Sequence, residues 1–321
     1  MATRTESYPL QHWIPYKLRT TNGQPDCRWL YLGDHPMTAP FFDDTQQRCL
    51  SHPYNSSPYA SVSSLDGLIE MAQAVPAVAP TAFIFHVSRC GSTLLGQLLS
   101  LLTNAVVLSE VPILDALLRL PTPVDSGLPS PADQAFVAAL QLLSQQRTGR
   151  EAAVFIKTDS WHLLQYGTLR RLYPKTPFIL LYRSPDEVLR SQRNRRGMQA
   201  IPGLIPPAFF GFTTDPNAPV DLDAYMAMVL ERYFEVLLMI AKQDSNCLLI
   251  DYQADGMVMM NQLIRFLDLT PDADVYAAMA ERCGYHGKYP GQLFGKEPVV
   301  SECPEYLQPA MTLYHQLNAL L

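Results

Sequence analysis

The sequence lacks the segments that direct a chain into or across a membrane. No apolar run approaches the ~20 residues that a membrane-spanning helix needs. Residues 1–16 contain no basic stretch followed by an apolar one, so no secretory signal peptide is predicted. The six cysteines are scattered, with no C-x-x-C pair and no metal-ligand spacing. This pattern predicts free thiols, a cytoplasmic location and no bound metal.

Several common catalytic motifs are also absent. There is no G-x-G-x-x-G for a dinucleotide, no H-E-x-x-H for zinc, and no serine with the flanking glycines of a hydrolase elbow. The nucleotide P-loop would need a lysine after Gly91, where Ser92 stands. A cysteine phosphatase would need an arginine six residues after Cys90, where Gly96 stands. A nucleophilic Cys90 stays open, because a helix N-terminus and Arg89 would favour its thiolate.

Charge is sparse and unevenly distributed. Charged residues make up 17% of the 321, and the formal net charge is −6, which argues against a general nucleic-acid binder. The segment from Arg170 to Arg196, however, contains eight basic residues and only two acidic ones, Asp186 and Glu187. A concentrated basic region on an acidic protein indicates a small polyanionic ligand, although a solvated helix face is the common alternative.

Apolar runs alternate with helical patterns through most of the chain, which predicts an α/β fold with a parallel sheet and helices on both faces. A helix is predicted from Asp159 or Ser160 to about Tyr173. The predicted strands cover Cys27–Leu32, Phe83–Val87, Ala105–Leu108, Ala152–Ile156, Phe178–Tyr182 and Cys247–Ile250. Residues 1–80 are predicted to form an N-terminal extension that packs on a main domain of residues 81–321. Residues 197–219, rich in proline and phenylalanine, are predicted to form a lid or acceptor loop. Ser184 to Glu187 are predicted to start a helix with a serine cap, Pro185 at its first position and Glu187 as the capping-box partner.

The stretch from Ala82 to Leu95 predicts a buried strand, a tight turn and the start of a helix. Such a connection directs backbone N–H groups and a helix N-terminus at one point, which favours binding of a phosphate or sulfate group. Arg89 adds a planar, permanently charged donor group to the turn. An ordinary strand-to-helix connection is the alternative for this stretch taken alone.

Charged residues follow most of the predicted strands. In a parallel α/β sheet, ligands gather at the carboxyl ends of the strands, so these residues should converge beside the anion-binding turn. They are Arg89, Glu110, Lys157, Asp159, Arg183 and Asp251.

Two motifs together resemble the PAPS-dependent sulfotransferases, in their bacterial form. Ser88-Arg89-Cys90-Gly91-Ser92-Thr93-Leu94-Leu95 is similar to that family's 5′-phosphosulfate loop. The stretch from Leu181 to Ser191 is similar to its 3′-phosphate motif, and the segments around Asp251 and Phe266 are similar to a late strand and helix of the family. The resemblance implies a P-loop-like three-layer α/β/α fold and PAPS as co-substrate, without a metal.

The resemblance also implies roles for individual residues. Those implied to bind PAPS are Arg89, Cys90, Gly91, Ser92, Thr93 and Leu94 at the phosphosulfate, and Arg183 with Ser191 at the 3′-phosphate. Sulfuryl transfer should proceed in line and rely on cations, and Arg89 and Lys157 are the candidates.

The general base differs between branches of this family. Cytosolic sulfotransferases use a histidine after Lys-Thr, but Asp159 occupies that position here. The pattern of sulfotransferases that act on tyrosyl residues is closer, and it implies Glu110 as the base. Asp159 remains second, with a helix cap as its alternative role, whereas His86 and His162 are predicted to be structural.

The acceptor is predicted to be a small molecule or a peptide that offers a hydroxyl or an amine. Two other functions remain open: a kinase-like nucleotide enzyme with a degenerate P-loop, and a catalytically silent nucleotide-binding protein.

Overall fold

The computed structural model of the chain describes residues 10–21, 23–121, 129–213, 221–253, 255–285 and 303–321. The chain divides into two compact units, Met1–Ala82 with Gly96–Lys157 and Phe83–Leu95 with Thr158–Leu321. The strands, numbered along the chain, are β1 (Trp13–Thr21), β2 (Gln24–Tyr31), β3 (Val62–Ser64), β4 (Ala82–His86), β5 (Ala105–Ser109), β6 (Ala153–Lys157), β7 (Phe178–Tyr182) and β8 (Cys247–Asp251).

The α-helices are α1 (Phe42–Cys49), α2 (Leu65–Gln73), α3 (Ser92–Leu99), α4 (Pro112–Leu118), α5 (Pro131–Leu143), α6 (Tyr166–Leu172), α7 (Pro185–Asn194), α8 (Leu222–Gln243), α9 (Gly256–Phe266), α10 (Ala273–Cys283) and α11 (Gln308–Asn318). Short 3₁₀ helices cover Ser160–Gln165, Met198–Ala200, Pro207–Phe210 and Glu305–Leu307. Within the described ranges, no helix is long and apolar enough to cross a membrane. All six cysteines lie in the described ranges and are free thiols.

A five-stranded sheet forms the centre of the fold, with the strand order β5-β6-β4-β7-β8. β5 pairs in parallel with β6, and β7 pairs in parallel with both β4 and β8. Every residue of β4, β6 and β7 is buried, which requires cover on both faces of the sheet and explains the nearly continuous apolar runs. The predicted α/β class with a central parallel sheet flanked by helices is therefore confirmed.

The first unit contains a second sheet that the sequence did not predict in full. β1, β2 and β3 form an antiparallel sheet in that order, and Gly23 takes a φ of +78° in the turn between β1 and β2. Only a strand over Cys27–Leu32 was expected here. Ile14 and Leu30 face each other across the hairpin and are buried, which gives this N-terminal region an apolar core of its own.

The second unit is built around the long helix α8. Its cap is Asp221, whose carboxylate accepts hydrogen bonds from the N–H groups of Asp223 and Ala224, and α8 packs against α7 and α11. The helix predicted from Asp159 or Ser160 to Tyr173 is present in two parts, a 3₁₀ helix followed by α6.

The capping box predicted at the start of α7 is wrong. Ser184 occupies the cap position, but its side chain makes no capping hydrogen bond to the helix backbone. Its hydroxyl instead donates to the carboxylate of Asp186. Glu187 is engaged by the guanidinium of Arg183, and this charge-assisted pair takes the place of its predicted bond to the cap residue.

Candidate active site

The turn between β4 and α3 has an unusual backbone. Ser88, Arg89 and Gly91 have φ values of +68°, +54° and +81°, in the left-handed region. This conformation is accessible to glycine but costs a side-chain-bearing residue roughly 1–2 kcal/mol. Such strain persists only where neighbouring contacts hold it, and it is found most often at ligand-binding sites.

Buried side chains of the second unit hold this turn in place. The Nδ1 atom of His86 accepts a hydrogen bond of 3.1 Å from the Ser88 N–H, and its Nε2 atom lies 2.8 Å from the carbonyl of Thr158. These partners suit a neutral imidazole with its proton on Nε2. Gln192 donates to the Ser88 hydroxyl, and the buried Cys90 thiol donates to the carbonyl of Leu181.

Glycine is required at position 91 for a second reason besides its φ. A Cβ atom there would lie 2.7 Å from Cδ2 and Cε2 of Tyr252, which is closer than real Cβ contacts allow. Tyr252 directly follows β8 and is buried, and burial raises the pKa of its phenol. Its ring therefore forms a wall against the turn, a contact that the sequence did not predict.

The two motifs predicted to bind anions meet directly in the second unit. The Arg89 Nε atom donates to the Ser191 hydroxyl at 2.8 Å, and its Nη2 atom donates to the Ser191 carbonyl at 3.3 Å. Ser191 lies on α7, 102 residues further along the chain, and is 9% exposed. This contact links the turn after β4 to the helix after β7.

Arg183, directly after β7, is held by a carboxylate. Its Nε and Nη2 atoms donate to the two oxygens of Glu187 at 2.9 and 3.0 Å, and its side chain is 14% exposed. Its guanidinium carbon lies 5.9 Å from the centroid of the Tyr252 ring. Sequence reasoning missed this partner, although an acidic residue four positions after an arginine at a helix start is a readable signal.

A separate cluster of charged residues lies in the first unit, at the ends of β5 and β6. Ser109 and Lys157 are paired in register, and the N–H of Glu110 donates to the carbonyl of Lys157 at 2.8 Å. The Glu110 carboxylate accepts a hydrogen bond from the ammonium of Lys157. The Lys157 side chain is 0% exposed and that of Glu110 is 25% exposed, so a buried cation is paired with a half-buried anion.

Glu110 also adopts a left-handed backbone, with a φ of +53°. A glutamate has no intrinsic preference for this region, so the conformation costs roughly 1–2 kcal/mol. The turn directs its carboxylate to Lys157, and both predicted catalytic residues of this unit are therefore brought together.

The other predicted carboxylates have structural partners. Asp159 is at the N-cap of the Ser160–Gln165 helix, and its N–H donates to Nδ1 of the buried His162 at 3.2 Å. Asp251 accepts hydrogen bonds from the Tyr314 hydroxyl and the Asn318 amide of α11, at 2.8 and 3.2 Å. The geometry of Asp251 therefore fits anchoring of α11 better than ligand binding.

The predicted lid is described up to residue 213, and residues 214–219 lie outside the described residues. Its aromatic side chains pack on α8 and on one another. The Phe210 ring is buried, stacks on that of Phe212 and contacts that of Tyr233, and Phe212 meets Tyr225 edge to face.

Comparison with known proteins gives one kind of match. No family model and no curated protein matches the chain. Among solved structures, the chain is similar to sulfotransferase STF9 from Mycobacterium avium, at 13% identity and a TM-score of 0.46, with 89% of this chain and 86% of that chain covered. It is similar to the sulfotransferase domain from the curacin biosynthetic pathway, at 16% identity and a TM-score of 0.44, with 75% and 99% covered.

A third similar structure is mouse sulfotransferase SULT7A1 complexed with PAP, at 13% identity and a TM-score of 0.38, with 69% and 71% of the chains covered. All three are sulfotransferases. The closer likeness to the sulfotransferases that act on tyrosyl residues stays a prediction.

Proposed function

We propose that this protein is a sulfotransferase that moves a sulfuryl group from PAPS to a hydroxyl or amine of an acceptor. One observation carries the proposal: Arg89, in the turn that resembles a phosphosulfate loop, bonds to Ser191, in the helix that resembles a 3′-phosphate motif. Two anion-binding motifs in contact suit a nucleotide with two separate phosphate groups.

The residues present suit the charges of PAPS. Arg89 and the backbone N–H groups of residues 90–94 are proposed to bind the 5′-phosphosulfate, at the start of α3. Arg183 and the Ser191 hydroxyl are proposed to bind the 3′-phosphate, because a guanidinium offers a phosphate two parallel hydrogen bonds. Each of these groups is a donor, as an anion requires.

The Glu110–Lys157 pair is proposed to carry out the proton transfer and charge stabilisation. The ammonium of Lys157 favours the ionised form of Glu110, which can then accept the proton of the acceptor. The acceptor atom bonds to sulfur while the bond from sulfur to the bridging oxygen breaks, and the electron pair leaves with adenosine 3′,5′-bisphosphate. Arg89 and Lys157 are proposed to stabilise the charge that develops on oxygen.

Calorimetry with adenosine 3′,5′-bisphosphate tests the nucleotide part. Arg183→Ala should weaken binding about 10- to 100-fold, because hydrogen bonds to charged groups contribute about 1.5–3 kcal/mol each. Ser191→Ala should weaken it less. Arg232→Ala is the control, since it removes a surface arginine that is also paired with a glutamate, Glu235.

Absence of binding, or binding equal in wild type and Arg183→Ala, would contradict the proposal. Tighter binding of ATP with Mg²⁺ would instead favour the kinase-like alternative. If nucleotide binding holds, Glu110→Gln should abolish the acceptor-dependent release of adenosine 3′,5′-bisphosphate from PAPS while leaving nucleotide affinity nearly unchanged. Retained turnover would transfer the base role to Asp159.

A further inference from the structure

A third side chain of the first unit accompanies the Glu110–Lys157 pair. The Nζ atom of Lys157 lies 5.3 Å from the centroid of the Phe41 ring, on its face. In the part of the chain that the structure describes, Phe41 is the aromatic residue whose ring lies against the Lys157 ammonium. An ammonium within about 6 Å of a ring centroid is attracted by the negative face of the ring, and the attraction is stronger away from water.

The segment that holds Phe41 is fixed by burial. Phe41 has an extended backbone at the N-cap of α1. The next residues of this helix face inward, since Phe42, Thr45 and Cys49 are exposed by 3%, 2% and 6%. The ring is therefore held by a packed helix start, which limits the positions that it can take.

The stem of Lys157 is confined as well. The side chain is fully buried, and a Cβ atom on Gly96 would lie 3.9 Å from its Cδ atom and 3.4 Å from the Ser109 hydroxyl. A lysine stem has four rotatable bonds, and burial of its ammonium is costly unless partners compensate. The Glu110 carboxylate accepts from the ammonium on one side. The other groups around the ammonium therefore orient its remaining N–H bonds.

We propose that Phe41 is a positioning residue for Lys157, so that the N-terminal region contributes to catalysis. This inference rests on the proposed sulfotransferase function, in which Lys157 stabilises developing charge. The ring restricts the ammonium of Lys157 to one place beside Glu110. Removal of the ring should therefore lower the turnover rate and leave nucleotide binding unchanged.

Three substitutions test the role. Phe41→Leu removes the ring face and keeps an apolar side chain, Phe41→Tyr keeps the face, and Phe42→Leu makes the same change at the neighbouring buried residue. We expect Phe41→Leu to lower kcat about 3- to 30-fold, the range that a cation–π contact supplies. The KM for PAPS should change less than twofold, and Phe41→Tyr should restore kcat. Phe42→Leu should lower stability and keep kcat near the wild-type value.

The comparison of the three variants separates positioning from packing. An unchanged kcat in Phe41→Leu, or a lowered kcat that Phe41→Tyr does not restore, would overturn the inference.

A measurement without activity keeps this inference distinct from the proposed function. In a double-mutant cycle of Phe41→Leu and Lys157→Met, the unfolding equilibrium constants should depart from multiplicative behaviour by about 3- to 10-fold. If wild type binds no adenosine 3′,5′-bisphosphate, the proposed function fails, whatever the cycle reports. If the nucleotide binds but the two substitutions act independently on stability, the inference about Phe41 fails alone.

Discussion

The Glu110–Lys157 pair predicts an asymmetry in stability between its two partners. Lys157 is 0% exposed, whereas Glu110 is 25% exposed. Removing one partner of a buried ion pair leaves the other uncompensated, at a cost of about 3–5 kcal/mol. The cost depends on which charge is left, because only Glu110 can recover water as a partner.

Glu110→Gln leaves the buried ammonium without an opposite charge. Because some water reaches the edge of this site, we expect the free energy of unfolding to fall by about 2–3 kcal/mol, below the full range for closed sites. Lys157→Met keeps the apolar stem and removes the buried charge, while the Glu110 carboxylate, 25% exposed, keeps its access to water, so this variant should change stability by about 1 kcal/mol or less. Both variants should lose transfer activity.

Urea unfolding of the wild type, Glu110→Gln and Lys157→Met at pH 7 measures the difference in stability. Glu110→Ala and Glu110→Gly are a control for the backbone conformation. Since Glu110 has a φ of +53°, glycine should be more stable there than alanine by about 1–2 kcal/mol. If Lys157→Met destabilised the protein as much as Glu110→Gln does, Lys157 would not be a buried cation that depends on this carboxylate, and the reasoning would be refuted.

Three further substitutions are expected to have measurable effects. Glu187→Gln should raise the affinity for adenosine 3′,5′-bisphosphate about fivefold in calorimetry. The reason is that the Arg183–Glu187 ion pair competes with the phosphate, and a surface ion pair contributes up to ~1 kcal/mol. Weaker binding would show instead that the carboxylate orients Arg183 for the phosphate. Gly91→Ala should greatly weaken the same binding through the clash with Tyr252, and Tyr252→Ala in the same chain should restore part of it. Burial acts to raise the pKa of Asp244, but hydrogen bonds, including those from Arg170, outweigh it and hold that pKa low. The stability that Asp244 contributes is fully present above its unfolded-state pKa of ~3.9, and it is lost as the pH falls through the lower pKa of the folded state. Asp244→Asn should therefore be destabilising at pH 7 and less so near pH 3 in urea unfolding; an equal loss at both would contradict this.

The central sheet was predictable because its strands carry an unambiguous signal. Each is a run of about five apolar residues that ends at a charged or polar residue, and in β4, β6 and β7 burial on both faces leaves no alternation in the pattern. β7 begins and ends at the predicted residues, and β4 and β6 lie within one or two residues of the predicted bounds.

The N-terminal sheet was harder to predict. β1 has the sequence Trp-Ile-Pro-Tyr-Lys-Leu-Arg-Thr-Thr, and its C-terminal half is largely exposed. Neither a continuous apolar run nor a clear alternation of apolar and polar residues therefore marks this strand. Pro15 within the strand argues further against a regular ladder, and the register does shift between Pro15 and Lys17. Its pairing with β2 depends on tertiary packing of Ile14 and Leu30, which a local pattern does not contain.

The positions of the candidate residues at strand ends were predictable, but their contacts were not. Strand-end positions identified Arg89, Glu110, Lys157 and Arg183, since the ends of parallel strands are where such residues collect. The partners of these residues depend on side-chain rotamers and on the strained turns at Arg89 and Glu110, which no sequence period encodes. The Phe41 ring came from a region for which the sequence offered no motif.

Each candidate cation in the described structure has a partner of its own before any ligand is considered. Arg89 bonds to a hydroxyl, whereas Arg183 and Lys157 bond to carboxylates. Such compensation is strictly required only at the fully buried Lys157, and its consequence for ligand binding differs among the three cations. A phosphate would use the same two parallel donors of Arg183 that Glu187 occupies, so that carboxylate must move away or share them.

The hydroxyl of Ser191 carries no charge and can stay beside an incoming anion. The glutamate partner of Lys157 is itself the proposed base, so it must remain. Nucleotide affinity should therefore respond to the charge at position 187, whereas turnover should respond to the charge at position 110.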